Sequence, residues 1–274
     1  MKGETKDKFI IKGLGGKKSL GGKIAVSGAK NAVLPALASS ILFKDKFCIS
    51  NVPDLKDVES INMLLEKLGA TVEKIGKKKY CVKTDKVKST TLDEEISKKM
   101  RGSIALTGPI LARYGKVSFP HPGGCVIGER PIDIYLNAFE KMGAQIKEKD
   151  EMYIISVAKG KKLKGAEIFF PKMSHVATET IMLAAVLAKG KTTLKNCALE
   201  PEIKDIADFL NSCGAKIKGA GTPTIEIIGG ALLKAGEKVY KTLPDRIEAG
   251  SFLILGAVAG DNLEITDCSP EHIK

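Results

Sequence analysis

The chain has 274 residues, 43% hydrophobic and 28% charged, which suits one large or two ordinary globular domains and excludes wholesale disorder. No apolar run reaches the roughly 18 uncharged residues of a membrane helix, and the polar start Met1–Asp7 lacks a signal-peptide core, so the expectation is a soluble cytoplasmic protein. The formal charge of +12 points to anionic partners such as nucleic acid, anionic membrane or phosphorylated small molecules. Only four of the 44 basic residues are arginine, however: Arg101, Arg113, Arg130 and Arg246. The lysines are scattered and read as solvated surface, while aromatic content of 5% without Trp is poor material for base stacking. Arginine suits bidentate grip on phosphate or carboxylate, so its four positions mark places to inspect. Six cysteines, Cys48, Cys81, Cys125, Cys197, Cys213 and Cys268, form no C-x-x-C pair and have no His at ligand spacing, which argues against zinc. A disulfide framework is not expected without an export signal, and most of the six read as small buried hydrophobes.

In chain order, Ser27-Gly28-Ala29 forms a tight turn before an apolar, small-residue helix over 32–42, then a strand over 45–50. A helix opened by Pro53 follows and closes at Gly69-Ala70 before an alternating strand. The pattern returns with an apolar helix over 101–112, a strand over 115–119, and a helix opened by Pro131 that closes at Gly143-Ala144. It returns again with a helix over 177–188, a strand over 190–194, and a helix from Pro201 to Gly214-Ala215. The Gly-Ala pairs at 69, 143 and 214 set a period of about 72, too long for the usual solenoid repeats and suited to a duplicated α/β unit. A fourth unit starts with a helix over 247–259 and a strand over 261–265, and the chain ends where its Pro270 helix should begin. The expectation is an incomplete chain; the alternative is a natural short protein whose half-unit docks elsewhere, since an exposed apolar helix is a liability. Gly190-Lys-Thr192 resembles the end of a phosphate loop but reads as a turn, and Gly13-Leu-Gly-Gly16 lacks the third glycine of a dinucleotide fingerprint.

One copy departs from the repeat. Between strand and Pro-opened helix the second unit carries Pro120-His-Pro-Gly-Gly-Cys-Val-Ile-Gly-Glu-Arg130, where the other units have three and five residues. A long Gly/Pro loop on one repeat is where function is usually added. A lone cysteine is ordinarily a buried hydrophobe, but Cys125 sits at the loop tip on no amphipathic face, a setting for an exposed, reactive thiol. Arg130 stands at a helix entry that already favours an anion.

Pro122-Gly-Gly-Cys-Val-Ile-Gly-Glu-Arg-Pro-Ile-Asp133 resembles the active-site loop of the UDP-N-acetylglucosamine 1-carboxyvinyltransferase (MurA) family of enolpyruvyl transferases. Ser27-Gly-Ala-Lys-Asn-Ala32 and Leu243-Pro-Asp-Arg-Ile-Glu248 resemble two further signatures, and the likeness extends over nearly the whole chain. It implies an α/β (α+β repeat) fold, the EPSP synthase/MurA-like inside-out α/β barrel of two lobes. Residues 1–29 would start lobe 1, residues 30–243 would be a complete lobe 2 of three units, and residues 244–274 would return to a truncated lobe 1. In the family, phosphoenolpyruvate gives its enolpyruvyl group to the 3′-hydroxyl of UDP-N-acetylglucosamine, and phosphate leaves through a tetrahedral phospholactoyl intermediate without metal or organic cofactor. The resemblance assigns Cys125 as proton donor, site of a covalent phospholactoyl adduct and target of fosfomycin. It assigns Lys30, Asn31 and Arg130 to phosphoenolpyruvate. Arg101 and the stretch Arg130, Pro131, Ile132, Asp133 and Ile134 are assigned to UDP-N-acetylglucosamine, as are Lys172, Ser174 and His175. At 175–176 the family's usual Ser-Val-Gly-Ala-Thr is replaced by Ser174-His-Val-Ala-Thr178. Asp245 and Arg246 match a hinge-side pair close to the cleft, and Arg113 reads as structural. The family's Asp base and a further phosphoenolpyruvate-binding Arg match no position here, so this chain alone is expected to be inactive. The whole protein would be a cytoplasmic monomer with two small-molecule substrates and no nucleic-acid or membrane partner. Two other readings stand beside it: a non-catalytic UDP-sugar-binding module and a basic nucleic-acid binder.

Overall fold

The computed structural model describes residues 8–121 and 132–273. They fall into two compact units, residues 28–243 and a smaller one formed by residues up to 27 with those from 244.

The smaller unit opens with β1 (Leu20–Ala25). The larger unit then begins with α1 (Lys30–Ser39), continued by a 3-10 turn over Ser40–Leu42. β2 (Phe47–Ser50), α2 (Lys56–Leu68), β3 (Thr71–Lys74) and β4 (Lys79–Lys83) complete the first module. After a short α3 (Glu94–Lys99), the second module starts as a 3-10 helix over Arg101–Leu106 and becomes α4 (Thr107–Tyr114). It continues through β5 (Lys116–Pro120), α5 (Asp133–Lys141), β6 (Gln145–Lys149) and β7 (Met152–Ser156). The third module holds β8 (Glu167–Phe169), α6 (His175–Ala185), β9 (Lys191–Lys195), α7 (Pro201–Ser212), β10 (Ile217–Lys218) and β11 (Thr224–Ile228). β12 (Val239–Lys241) returns to pair in parallel with β2, giving sheets ordered β12-β2-β4-β3, β5-β7-β6 and β10-β11-β9-β8.

The period of about 72 residues is thus a structural repeat, and Gly69, Gly143 and Gly214 all adopt left-handed φ of 104°, 87° and 105° just beyond α2, α5 and α7. That conformation closes the helix and turns the chain into the next strand at no steric cost only for glycine. The first Pro-opened boundary differs from the expectation. α2 opens at Lys56 rather than at Pro53, because Leu55 is extended (φ −134°, ψ 142°) and caps the helix.

The architecture is inside out. The small-residue helices α1 and α6 are buried along nearly their whole length, from Ala32 to Ser39 and from Ala177 to Ala185. The sheets lie outside them, with one face of β7 and β9 packed inward and the other toward water. Small residues let the helical backbones approach: a Cβ added at Gly108 of α4 would lie 2.2 Å from the Thr180 carbonyl of α6. Around them Leu37, Ile41, Phe43, Phe47, Leu65, Ile181 and Leu210 are fully buried, each contributing roughly 1.5–3 kcal/mol of burial. The sheets of the described residues stay open.

The cysteines require a correction. Cys48 and Cys81 are disulfide-bonded, with Cα atoms 4.1 Å apart. The antiparallel register of β2 on β4 sets the two directly opposite, a juxtaposition that neighbouring-residue spacing does not reveal. Cys197 and Cys213 are buried thiols, whereas Cys268 is partly exposed.

In the smaller unit, β1 pairs in parallel with β13 (Gly260–Thr266), and α8 (Arg246–Ala259) packs on β13. The Asp245 carboxylate caps α8 by accepting from Ile247 and Glu248 N–H at 2.9 and 3.1 Å. Glu248 in turn accepts from the Ser27 N–H at 2.8 Å. Among the described residues, Ile247, Leu253, Ile254, Leu255 and Val258 on α8 are exposed.

Candidate functional site

Three helix starts of the larger unit converge. The first is α1, whose entry is fixed by Gly28: a Cβ there would lie 2.0 Å from the Asn51 carbonyl oxygen, so only glycine brings Lys30 and Asn31 to this place. Pro35 cannot donate to the carbonyl four residues back, that of Asn31. The second is the 3-10 start at Arg101. The third is α6, capped by the Ser174 hydroxyl, which accepts from Ala177 N–H at 3.3 Å. Thr178 locks that cap, donating to the Ser174 carbonyl at 2.8 Å and accepting from Ala198 N–H at 3.1 Å.

Two adjoining hollows result. One, of about 300 Å³, is lined by Lys30, Asn31, Asp57, Arg101, His175 and Glu179 among others. The other, of about 510 Å³, is lined by Arg101, Asp133, Ile134, Tyr135, Lys172, Ser174 and His175 among others. Arg101, His175 and Val176 belong to both and form the wall they share. In the first hollow Lys30 Nζ stands 3.7 Å from Asp57 Oδ2, with half its side chain exposed. His175 Nδ1 lies 3.3 Å from Glu179 Oε2. Glu179 is 2% exposed, and its Oε1 has no hydrogen-bond partner among the described residues. Burial, reinforced by the Glu202 and Glu200 carboxylates, raises the Glu179 carboxyl well above the usual range. Burial also raises the Tyr135 phenol, opposed by the Arg101 guanidinium. Cations on two sides of a small cavity at two helix N-termini are suited to holding phosphate or carboxylate groups.

Of the residues singled out in the sequence, Lys30, Asn31, Arg101, Asp133, Ile134, Lys172, Ser174 and His175 line these hollows. Ile132 is buried at the entry of α5. Cys125, Arg130 and Pro131 lie outside the described residues. Asp245 and Arg246 belong to the smaller unit, at the start of α8. Arg113 stands apart from the hollows: its Nη1 donates to the Ile41 and Phe43 carbonyls and the Thr84 hydroxyl at 2.8, 2.9 and 2.8 Å. Sequence reasoning missed Asp57, Tyr135 and Glu179. Glu179 carried a readable signal, a lone acid inside the apolar run Ala177–Ala188. Among the described residues no three His, Cys, Asp or Glu side chains converge as a metal-ligand set.

Residues 14–274 match the EPSP synthase (3-phosphoshikimate 1-carboxyvinyltransferase) family. The UDP-N-acetylglucosamine 1-carboxyvinyltransferase of Campylobacter hominis is 45% identical over 262 residues, covering 95% of this chain and 61% of the relative. That of Shewanella pealeana is 43% identical over 268 residues, covering 98% and 62%. The chain therefore spans about three fifths of the length of the curated relatives it matches. Two solved structures share its fold. The enolpyruvyl transferase NikO from Streptomyces tendae superposes with a TM-score of 0.78 at 21% identity, over 92% of this chain and 58% of that one. EPSP synthase from Acinetobacter baumannii superposes with a TM-score of 0.71 at 19% identity, over 91% and 56%. Modules that bury small-residue helices behind open sheets, and the match over residues 14–274, place the chain in the EPSP synthase family.

Proposed function

We propose that the whole protein transfers the enolpyruvyl group of phosphoenolpyruvate to the 3′-hydroxyl of UDP-N-acetylglucosamine and releases phosphate, the first committed step of peptidoglycan precursor synthesis. The observation that carries this is the meeting of Lys30 and Asn31 with Asp133, Ile134, Lys172 and Ser174 around two hollows joined at Arg101 and His175. Relatives at 45% and 43% identity carry the name of that activity. Lys30 and Asn31 would receive phosphoenolpyruvate with Arg130, and Lys172, Ser174 and Arg101 the diphosphate of the UDP-sugar. Charge-assisted hydrogen bonds from these side chains are worth most where water is excluded. Cys125 would protonate the methylene carbon as the sugar oxygen, giving its hydroxyl proton to a base, adds to the neighbouring carbon; loss of phosphate together with a proton from the new methyl group then restores the double bond. Asp245 and Arg246 would stand on the hinge side of the site. The setting would be cytoplasmic and the whole protein a monomer; among the described residues no helix is long and apolar enough to cross a membrane.

The test is phosphate release by the whole protein from the two substrates, with Cys125→Ser expected to abolish it. Undiminished release by Cys125→Ser would remove the cysteine from the chemistry. Tight UDP-N-acetylglucosamine binding with no release by the wild type would leave a UDP-sugar-binding module instead.

A further inference from the structure

We propose that His175, paired with Glu179, is a protonation-dependent electrostatic partner for a phosphate-bearing ligand, so that binding in the hollows is coupled to uptake of a proton. The inference deepens the reading above and rests on it for the choice of ligand, a nucleoside-diphosphate sugar.

His175 is the first residue of α6 and lines both hollows; its Nε2 is buried, so a charge on the ring acts on an occupant of either through space. Its side chain is only 15% exposed, and it stands at a helix N-terminus, where the dipole favours an anion. Glu179, one turn on, brings Oε2 to 3.3 Å from Nδ1. Glu179 is itself sealed in the interior and its second oxygen is unsatisfied among the described residues, so the pair is a buried acid and base facing a cavity rather than a surface ion pair.

The pair can hold zero, one or two protons, with net charge −1, 0 or +1. Two protons are favoured by Glu202 and Glu200 from the α7 side and by Asp57 and Asp133 from α2 and α5. They are opposed by Lys30 of α1, Lys99 of α3, Arg101 and Lys172. Tyr135 of α5 stays a neutral phenol at physiological pH. An entering anion adds to the first group, so each protonation step of the pair becomes easier with ligand bound. Affinity is therefore highest at low pH and weakens as the pH rises. A diphosphate diester has no ionisation of its own near neutrality, so the linkage reports the protein.

Calorimetric titration of the 274-residue chain with UDP-N-acetylglucosamine, from about pH 5.5 to 8.5 and in buffers of different ionisation enthalpy, tests this. The wild type should take up a fraction of a proton and lose about fivefold to tenfold in affinity across that range, since a ligand that moves one titration by about 1 pH unit gains roughly tenfold from it. His175→Gln should bind with a flat profile and no uptake. Glu179→Gln should move the midpoint, and His272→Gln, in the other unit, should behave as wild type. Should His175→Gln not fold, the imidazole resonances of the wild type decide the matter: ligand must move the His175 titration to higher pH. Binding by the wild type without proton uptake overturns the inference and leaves the proposed function standing, as does uptake that survives in folded His175→Gln. No binding by the wild type at any pH also overturns the inference, and the proposed function is then judged by phosphate release from the whole protein.

Discussion

Gly28→Ala tests whether the site depends on one close backbone approach. The added methyl would stand 2.0 Å from the Asn51 carbonyl oxygen and 3.3 Å from Pro53 Cδ. Carbon and oxygen tolerate roughly 3.3 Å, so one backbone must retreat by about 1 Å. Asn51 is held on its own side: its backbone is left-handed at φ 54°, its amide donates to the Thr242 carbonyl at 2.9 Å, and Val52 N–H donates to the Lys78 carbonyl. The shift therefore falls on residues 28–31 and strains the 2.7 Å hydrogen bond from Ala29 N–H to the Leu243 carbonyl. Overpacking of about 2 kcal/mol plus about 1 kcal/mol for that bond gives about 3 kcal/mol, or a fall in melting temperature of about 6–12 °C. The same displacement moves Lys30 and Asn31 relative to Arg101, and misplacement of that size costs about a hundredfold in turnover by the whole protein. Urea melts followed by circular dichroism, together with phosphate-release kinetics, measure the two effects. A loss under about 0.5 kcal/mol with unchanged kinetics would refute the claim that glycine is required there by contact.

Arg113→Met should cost about 3 kcal/mol by leaving the Ile41 and Phe43 carbonyls without their charged donor, while ligand affinity stays unchanged; a matched melt and titration check both. Asp93 caps α3 by accepting from Ile96 N–H at 3.0 Å and pairs with Lys67 at 2.8 Å. The Lys67 ammonium holds its carboxyl below the ordinary range, so its stabilisation is present above that range and lost as pH falls through the depressed value. Asp93→Ala should thus cost about 1 kcal/mol at neutral pH and nothing in strong acid, read from urea midpoints at both. Reducing the Cys48–Cys81 disulfide, which joins residues 33 apart in sequence, should lower stability by about 3–4 kcal/mol in melts with and without a reductant.

The module pattern was legible because it is written locally. A glycine that must turn left-handed after a helix, an apolar run of small residues and an alternating strand are all neighbours in the chain, as at Leu68-Gly-Ala-Thr-Val72. The scarcity of arginine likewise drew attention to Arg101, which the fold sets in the wall between the hollows. What escaped depends on pairs fixed by tertiary register. Cys48 meets Cys81 only because β2 and β4 align in one of several registers, and expectation from compartment alone pointed away from a bond. Glu179 reads as a misplaced charge until α6 is seen to bury it under His175. Asp57 reaches Lys30 only once α1 and α2 pack together.

The hydrogen bond from Ala29 N–H to the Leu243 carbonyl bears on how the chain is assembled as well as on the site. β1 and β13 pair residues as distant as Lys23 and Glu264, a contact that an unfolded chain would reach only by closing a very long loop. The larger unit is continuous in sequence and holds its two ends together at 29 and 243. The path left to close is then about 27 residues of chain, which lowers the entropic cost by about 2 kcal/mol. Connectivity thus makes the inserted unit a clasp: its closure shortens the loop that the pairing of β1 with β13 has to close.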